Sequence, residues 1–207
     1  MYDYDYFERG LETGKSNYQN YRWIPELTIP MAMTIIDFLN IKPGELILDY
    51  GCAKGYLVKA LRMLNRNAWG CDISKYALME ADTDVRPFLS NLHKPDKFLD
   101  ITKRFKYGIC KDVLEHIPTD QLRDLLTVLN VEELFTIVPL GNNGKYYASA
   151  NNLDATHIIC ENETWWLAFF HNCNWRCLYF STRVKGIKDN YADIPNSHLF
   201  MVHRRKI

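Results

Sequence analysis

Residues 47–57 read ILDYGCAKGYL. An apolar run ends in Asp49, turns through Gly51, Cys52, Ala53, Lys54 and Gly55, and then becomes apolar again. Uninterrupted apolar strands belong to parallel sheets that carry helices on both faces. Two glycines within one strand-to-helix corner remove the Cβ atoms that would otherwise keep a ligand away from the backbone. The helix that follows points unpaired N–H groups back toward the corner. In open α/β sheets ligands bind outside the carboxyl ends of the strands, where the strand order reverses. The corner therefore predicts both a fold class and the place of a site.

The rest of the chain repeats the alternation. Strands are predicted at Leu46–Asp49, Ala68–Cys71, Lys97–Leu99, Tyr107–Lys111 and Leu134–Pro139, with helical apolar spacing between them. Thr28, Ser74 and Thr119 are placed to cap helices, with Pro30 in the first turn of its helix. NETWWLAFFHN predicts a further helix. The closing segments WRCLYFSTRV and SHLFMVHRRK are joined by a polar loop too short for a helical crossover, which predicts an antiparallel pair. The expectation is an α/β fold.

At 207 residues the chain fits one domain. Lys plus Arg and Asp plus Glu balance at 25 each, so no long-range field favours a nucleic acid or an anionic membrane. No apolar run reaches the roughly 20 residues of a membrane span. The start, MYDYDYFERG, has no signal-peptide pattern, which predicts the cytoplasm. Six cysteines without a CxxC pair fit reduced thiols better than a zinc site.

A dinucleotide site would need GxGxxG. Aligned on Gly51, that pattern fails at Ala53 and Tyr56. Asp49-x-Gly51-Cys52-Ala53-x-Gly55 instead resembles the first motif of class I S-adenosylmethionine-dependent methyltransferases, with Ala53 in place of the middle glycine. Asp72, in GCDIS, resembles the acidic residue that bonds the ribose hydroxyls, and Ile73 would lie on the adenine. Asp100 and Ile101, in FLDIT, resemble the third motif, which reaches the adenine amino group. CKDVLEHIP resembles the segment after strand four in small-molecule members, placing Lys111, Asp112 and Val113 at the cofactor. The resemblance implies a Rossmann-like, seven-stranded, mostly parallel sheet with an antiparallel last strand and helices on both faces. It also implies one methyltransferase domain over residues 1–207, with residues 1–40 as an aromatic arm and helix over the active site.

What the resemblance implies chemically is an in-line transfer from a sulfonium, for which positioning is the main requirement and no metal ligands are assigned. A hydroxyl acceptor would need a base. His116 is one candidate, and His157 with Asp154, in DATHI, is the other. Tyr18, Tyr21 and Trp23 are expected to form a lid that excludes water. The acceptor read from this pattern is an oxygen or nitrogen of a small molecule, with a sugar or sugar-nucleotide first. KDVLEH stands where DNA and RNA amino-methylating enzymes carry an Asn/Asp-Pro-Pro-aromatic motif, so no nucleic-acid partner is expected. The alternatives are a protein methyltransferase and a cofactor-binding domain without turnover.

Overall fold

The computed structural model describes residues 2–93 and 104–206. In chain order the elements are α1 (Tyr4–Glu8), α2 (Gly10–Thr13), α3 (Pro25–Leu39), β1 (Leu46–Tyr50), α4 (Tyr56–Met63), β2 (Asn67–Asp72), α5 (Lys75–Met79) and β3 (Leu89–Asn91). Then come β4 (Phe105–Lys111), α6 (Thr119–Val128), β5 (Val131–Pro139), the short hairpin β6 (Gly141–Asn142) and β7 (Lys145–Tyr146), α7 (Glu163–Asn172), β8 (Trp175–Ser181) and β9 (His198–Arg205). Seven strands form one sheet in the order β3-β2-β1-β4-β5-β9-β8. The first five run parallel, and β9 runs antiparallel to both β5 and β8. The order reverses between β1 and β4, beside the glycine corner.

Successive strand residues serve opposite faces, as the pleat requires. Ile47, Ile109 and Ile137 face one core with Ala32, Ile35 and Leu61 of the helices α3 and α4. Their neighbours Leu48, Cys110 and Val138 face the other, with Leu122 of α6 and Trp166 and Phe170 of α7. This two-sided burial is why the strands are uniformly apolar.

Several boundaries differ from the sequence reading. Helix α3 begins at Pro25, so Pro30 lies inside it and Thr28 is not its cap. The Thr28 hydroxyl instead donates to the Ile24 carbonyl at 3.0 Å. Helix α6 has Pro118 at its N-cap and no side-chain cap, whereas Ser74 caps α5 as expected. The strand beside β2 is Leu89–Asn91. The segment Lys97–Leu99, with Asp100 and Ile101, lies outside the described residues. Among the described residues, no helix is long and apolar enough to cross a membrane.

Residues 2–22 are folded back onto the carboxyl ends of the strands. Tyr6 and Phe7 are buried against Ala77 of α5. The Ser74 hydroxyl donates to the Tyr2 carbonyl at 2.6 Å. One ion pair ties the arm to the corner: Lys54 Nζ lies 2.6 Å from Glu8 Oε1 and 2.8 Å from the Tyr21 carbonyl. Both charged side chains are largely buried, and the Tyr76 hydroxyl also donates to Glu8 Oε1. Breaking one side of a buried pair costs about 3–5 kcal/mol because the other charge is stranded. Glu8→Ala is therefore expected to free the arm, speeding tryptic cleavage after Arg9, Lys15 and Arg22. Cleavage at the parent rate would show that this pair does not hold the arm.

Candidate active site

A cavity of about 880 Å³ opens at the carboxyl ends of β1, β2 and β4, under the arm. The corner makes its floor. Gly51 has φ +82°, and a Cβ there would lie 2.3 Å from Val113 Cγ2, so only glycine lets the two segments approach this closely. Ala53 also sits in the left-handed region, at φ +50°. Its N–H donates to Asp72 Oδ2 at 2.7 Å, and the Ser74 N–H donates to Asp72 Oδ1 at 2.7 Å. Each carboxylate oxygen thus keeps a second lone pair for a ligand. Burial raises the Asp72 carboxyl, opposed by the backbone N–H groups of Ser74, Ala53 and Ile73.

The β4 end carries the charges. Asp112, at φ +55°, lies between two lysines, with Nζ of Lys111 at 2.7 Å and Nζ of Lys188 at 2.5 Å. Burial disfavours its charge, but the lysine pair wins and holds Asp112 well below the usual carboxylate range. Burial alone would lower Lys111, yet Asp112 lifts it to about 12. A strained backbone and a paired charge at one position mark a place where side-chain direction matters.

The cavity collects most residues read from the sequence. Asp49, Gly51, Cys52, Ala53, Asp72 and Ile73 line it, as do Lys111, Asp112, Val113 and His116. Tyr18 and Tyr21 line it from the arm, joined by Tyr2, Tyr6 and Phe7, which the sequence reading did not single out. Gly55 does not reach the cavity; it starts α4 at φ +75°, with Leu89 against the position of its missing Cβ. Trp23 is not part of the lid. Its ring packs on Tyr56 at 5.7 Å, with Lys59 Nζ 5.4 Å from its centroid. Leu92 and His93, just after β3, also line the cavity.

The expected Asp154–His157 pair is not formed. Asp154 Oδ1 accepts from the Thr156 N–H at 2.9 Å and from its hydroxyl at 2.5 Å, and Oδ2 accepts from the Tyr6 hydroxyl at 2.8 Å. Three donors hold the carboxylate, and none of these bonds goes to His157. Thr156 Oγ1 instead lies 2.8 Å from His116 Nδ1. Because the hydroxyl donates to Asp154, it accepts from His116, which assigns the proton to Nδ1. His157 stands behind His116, ring centroids 4.5 Å apart, and does not line the cavity. Its Nδ1 lies 2.8 Å from the Asn151 carbonyl. Burial lowers both imidazoles, His116 to about 4 with the neighbouring His157 adding to the effect.

No protein-family model matches the sequence. No curated protein matches it either. Solved structures do. An S-adenosylmethionine-dependent methyltransferase from Clostridium acetobutylicum ATCC 824 superposes with a TM-score of 0.63, over 89% of this chain and 93% of its own, at 12% identity. Magnesium protoporphyrin IX methyltransferase from Synechocystis PCC 6803 with bound S-adenosylhomocysteine matches at 0.60, over 86% and 82%, at 15% identity. The fold is that of the class I S-adenosylmethionine-dependent methyltransferases. The fold also hosts other chemistry: the [4+2]-cyclase SpnF matches at 0.60, over 94% and 86%, at 12% identity. The methyltransferase fold thus places a site without naming the reaction.

Within that fold, Asp49 at the end of β1 gives a direct electrostatic test. Burial raises its carboxyl to about 7, against the pull of Lys111. An unfolded aspartate titrates near 3.9. Between these values the folded chain binds the proton more tightly, so this contribution to stability is lost as pH rises from about 4 to about 7. Asp49→Asn is expected to stabilise the ligand-free protein at pH 8, by no more than about 4 kcal/mol, and to leave it nearly unchanged at pH 4. Equal melting-temperature changes at the two pH values would show that Asp49 is ionised without penalty.

Proposed function

We propose that the protein binds S-adenosylmethionine in this cavity and transfers its methyl group to an oxygen or nitrogen of a small molecule. The observation that carries the reading is Asp72. Its carboxylate stands at the cavity wall, aimed by two backbone N–H bonds, with a lone pair left on each oxygen for two ribose hydroxyls. Ile73, 43% exposed beside it, offers an apolar face for the adenine. Asp49 fits the ammonium of the methionine part, a cation that would take up the charge its burial resists.

When bound, the cofactor supplies a methyl group already activated by the sulfonium charge. What remains for the chain is placement and exclusion of water. Tyr2, Tyr6, Tyr18 and Tyr21 roof the cavity, and burial keeps the Tyr6, Tyr18 and Tyr21 hydroxyls protonated. A roofed cavity of this size supports a small acceptor rather than a protein segment. Across from the corner, Lys188, Asn190 and Tyr191 add a polar wall suited to an oxygen-rich acceptor such as a sugar.

The fold's use by a cyclase supports a second reading, in which the cofactor is held without transfer. Binding is tested first. S-adenosylhomocysteine is expected to raise the melting temperature by mass action. Asp72→Asn replaces charge-assisted bonds with neutral ones and is expected to weaken that binding by about tenfold to a hundredfold. No shift at millimolar ligand would refute the cofactor assignment. Binding with no methylated product from any sugar, phenol or amine panel would favour the second reading.

A further inference from the structure

Behind the cavity wall, three side chains converge that no part of the methyl-transfer reading uses together. Glu115, His116 and His157 each offer a ligand atom, and these atoms lie within 4.8 Å of one another. Glu115 is fully buried, and among the described residues neither of its carboxyl oxygens has a hydrogen-bond partner. His157 Nε2 lies 3.9 Å from Oε1. A buried carboxyl left unbonded in a folded chain calls for something to complete it. Simple packing of the two imidazoles, which meet edge-on at 60°, does not supply it, since both rings already have their other nitrogen engaged.

Those engagements are the second observation. His116 Nδ1 is held by Thr156 Oγ1, itself anchored on Asp154, and His157 Nδ1 is held by the Asn151 carbonyl. Nε2 of each ring is left for a further partner. Histidines that bind metal show this arrangement: one nitrogen faces the ion and the other is fixed by a carbonyl, or by a carboxylate acting directly or through a bridging group. The Tyr146 ring packs against His157 at 5.2 Å. The nearby lysines do not compete, because Lys111 and Lys188 are bonded to Asp112.

We propose that Glu115, His116 and His157 form a binding site for a divalent transition-metal cation at the wall of the cavity. Two imidazoles and one carboxylate suit zinc, manganese, iron or cobalt better than magnesium or calcium, which prefer all-oxygen sets. Ligands about 2.1 Å from one ion stand at most about 4.2 Å apart, so closure needs only a small inward movement of the side chains. Three protein ligands leave coordination positions open. Because His116 lines the cavity, an ion held here meets an acceptor oxygen from that side. That last role rests on the methyltransferase reading; metal binding itself does not.

The test uses the full chain, stripped with a chelator and titrated with Co²⁺ and Zn²⁺. One ion per chain is expected, with visible Co²⁺ absorption bands that report imidazole coordination. Glu115→Gln and His157→Gln should each weaken binding at least about tenfold. Thr156→Val, which removes only the support of His116, should cost about 10–100-fold, and Thr156→Ser should restore it. No stoichiometric binding by the parent, or parent-like affinity in Glu115→Gln, overturns the site. If either ligand variant fails to fold, parent-like affinity in Thr156→Val overturns it instead. S-adenosylhomocysteine titrated into the same samples separates the two readings. Its binding should survive in all four variants, and its absence from the parent beside intact metal binding would refute the cofactor reading alone.

Discussion

The Asp72 carboxylate joins the two strand ends on which the cavity is built. It accepts from Ala53 in the corner after β1 and from Ser74 at the start of α5, both at 2.7 Å. Ala53 holds a left-handed backbone, which costs a residue with a Cβ roughly 1–2 kcal/mol. A hydrogen bond to a charged group contributes about 1.5–3 kcal/mol, so one such bond offsets the strain. The middle position of the corner therefore does not need glycine, which explains why the motif tolerates Ala53. One side chain thus sets the corner's shape, fixes the helix entry and presents its remaining lone pairs to the cavity.

The arm depends on that corner in turn. Lys54 lies between two residues that shape it, and its charge is answered by Glu8 from α1. The tyrosines of residues 2–21 pack on one another as well as on Ala53, Tyr76 and Ala77, as in the Tyr18–Tyr21 contact at 4.8 Å and the Tyr2–Tyr6 contact at 4.9 Å. Such a cluster has little to pack on without a floor. The Lys54 pair supplies the fixed point, and the aromatic contacts then spread the arm over the cavity.

The sequence showed the parallel strands and the corner because their burial on both faces leaves unbroken apolar runs, as in Ile47–Leu48 and Ile137–Val138. It hid β3 because that edge strand is three residues long and pairs on one side only. Its sequence, Leu-Ser-Asn, carries no apolar run to read. Trp23 looked like part of the lid because aromatic composition does not say which face a ring takes. Glu115 was in plain view within DVLEH, but a charged residue in a loop reads as solvated. Only the fold shows that Ile158 and Ile159 donate to its backbone carbonyl and close the segment over it. Lys188 reaches Asp112 from a loop far along the chain, with no local pattern to announce it.

The spacing of Asp154 and His157 illustrates why proximity along the chain misleads outside helices. Asp154 has extended backbone angles, so a residue three positions on does not share its face. Its oxygens go to Thr156 beside it and to Tyr6 from the arm. This makes a continuous line of bonds: the Tyr6 hydroxyl, the Asp154 carboxylate, the Thr156 hydroxyl and His116 Nδ1. The roof and the wall of the cavity are joined through it. Moving the arm away removes a donor from Asp154 and loosens the hold on Thr156, which fixes the His116 tautomer. Closing the roof and aiming the imidazole are therefore one event, whatever His116 is aimed at.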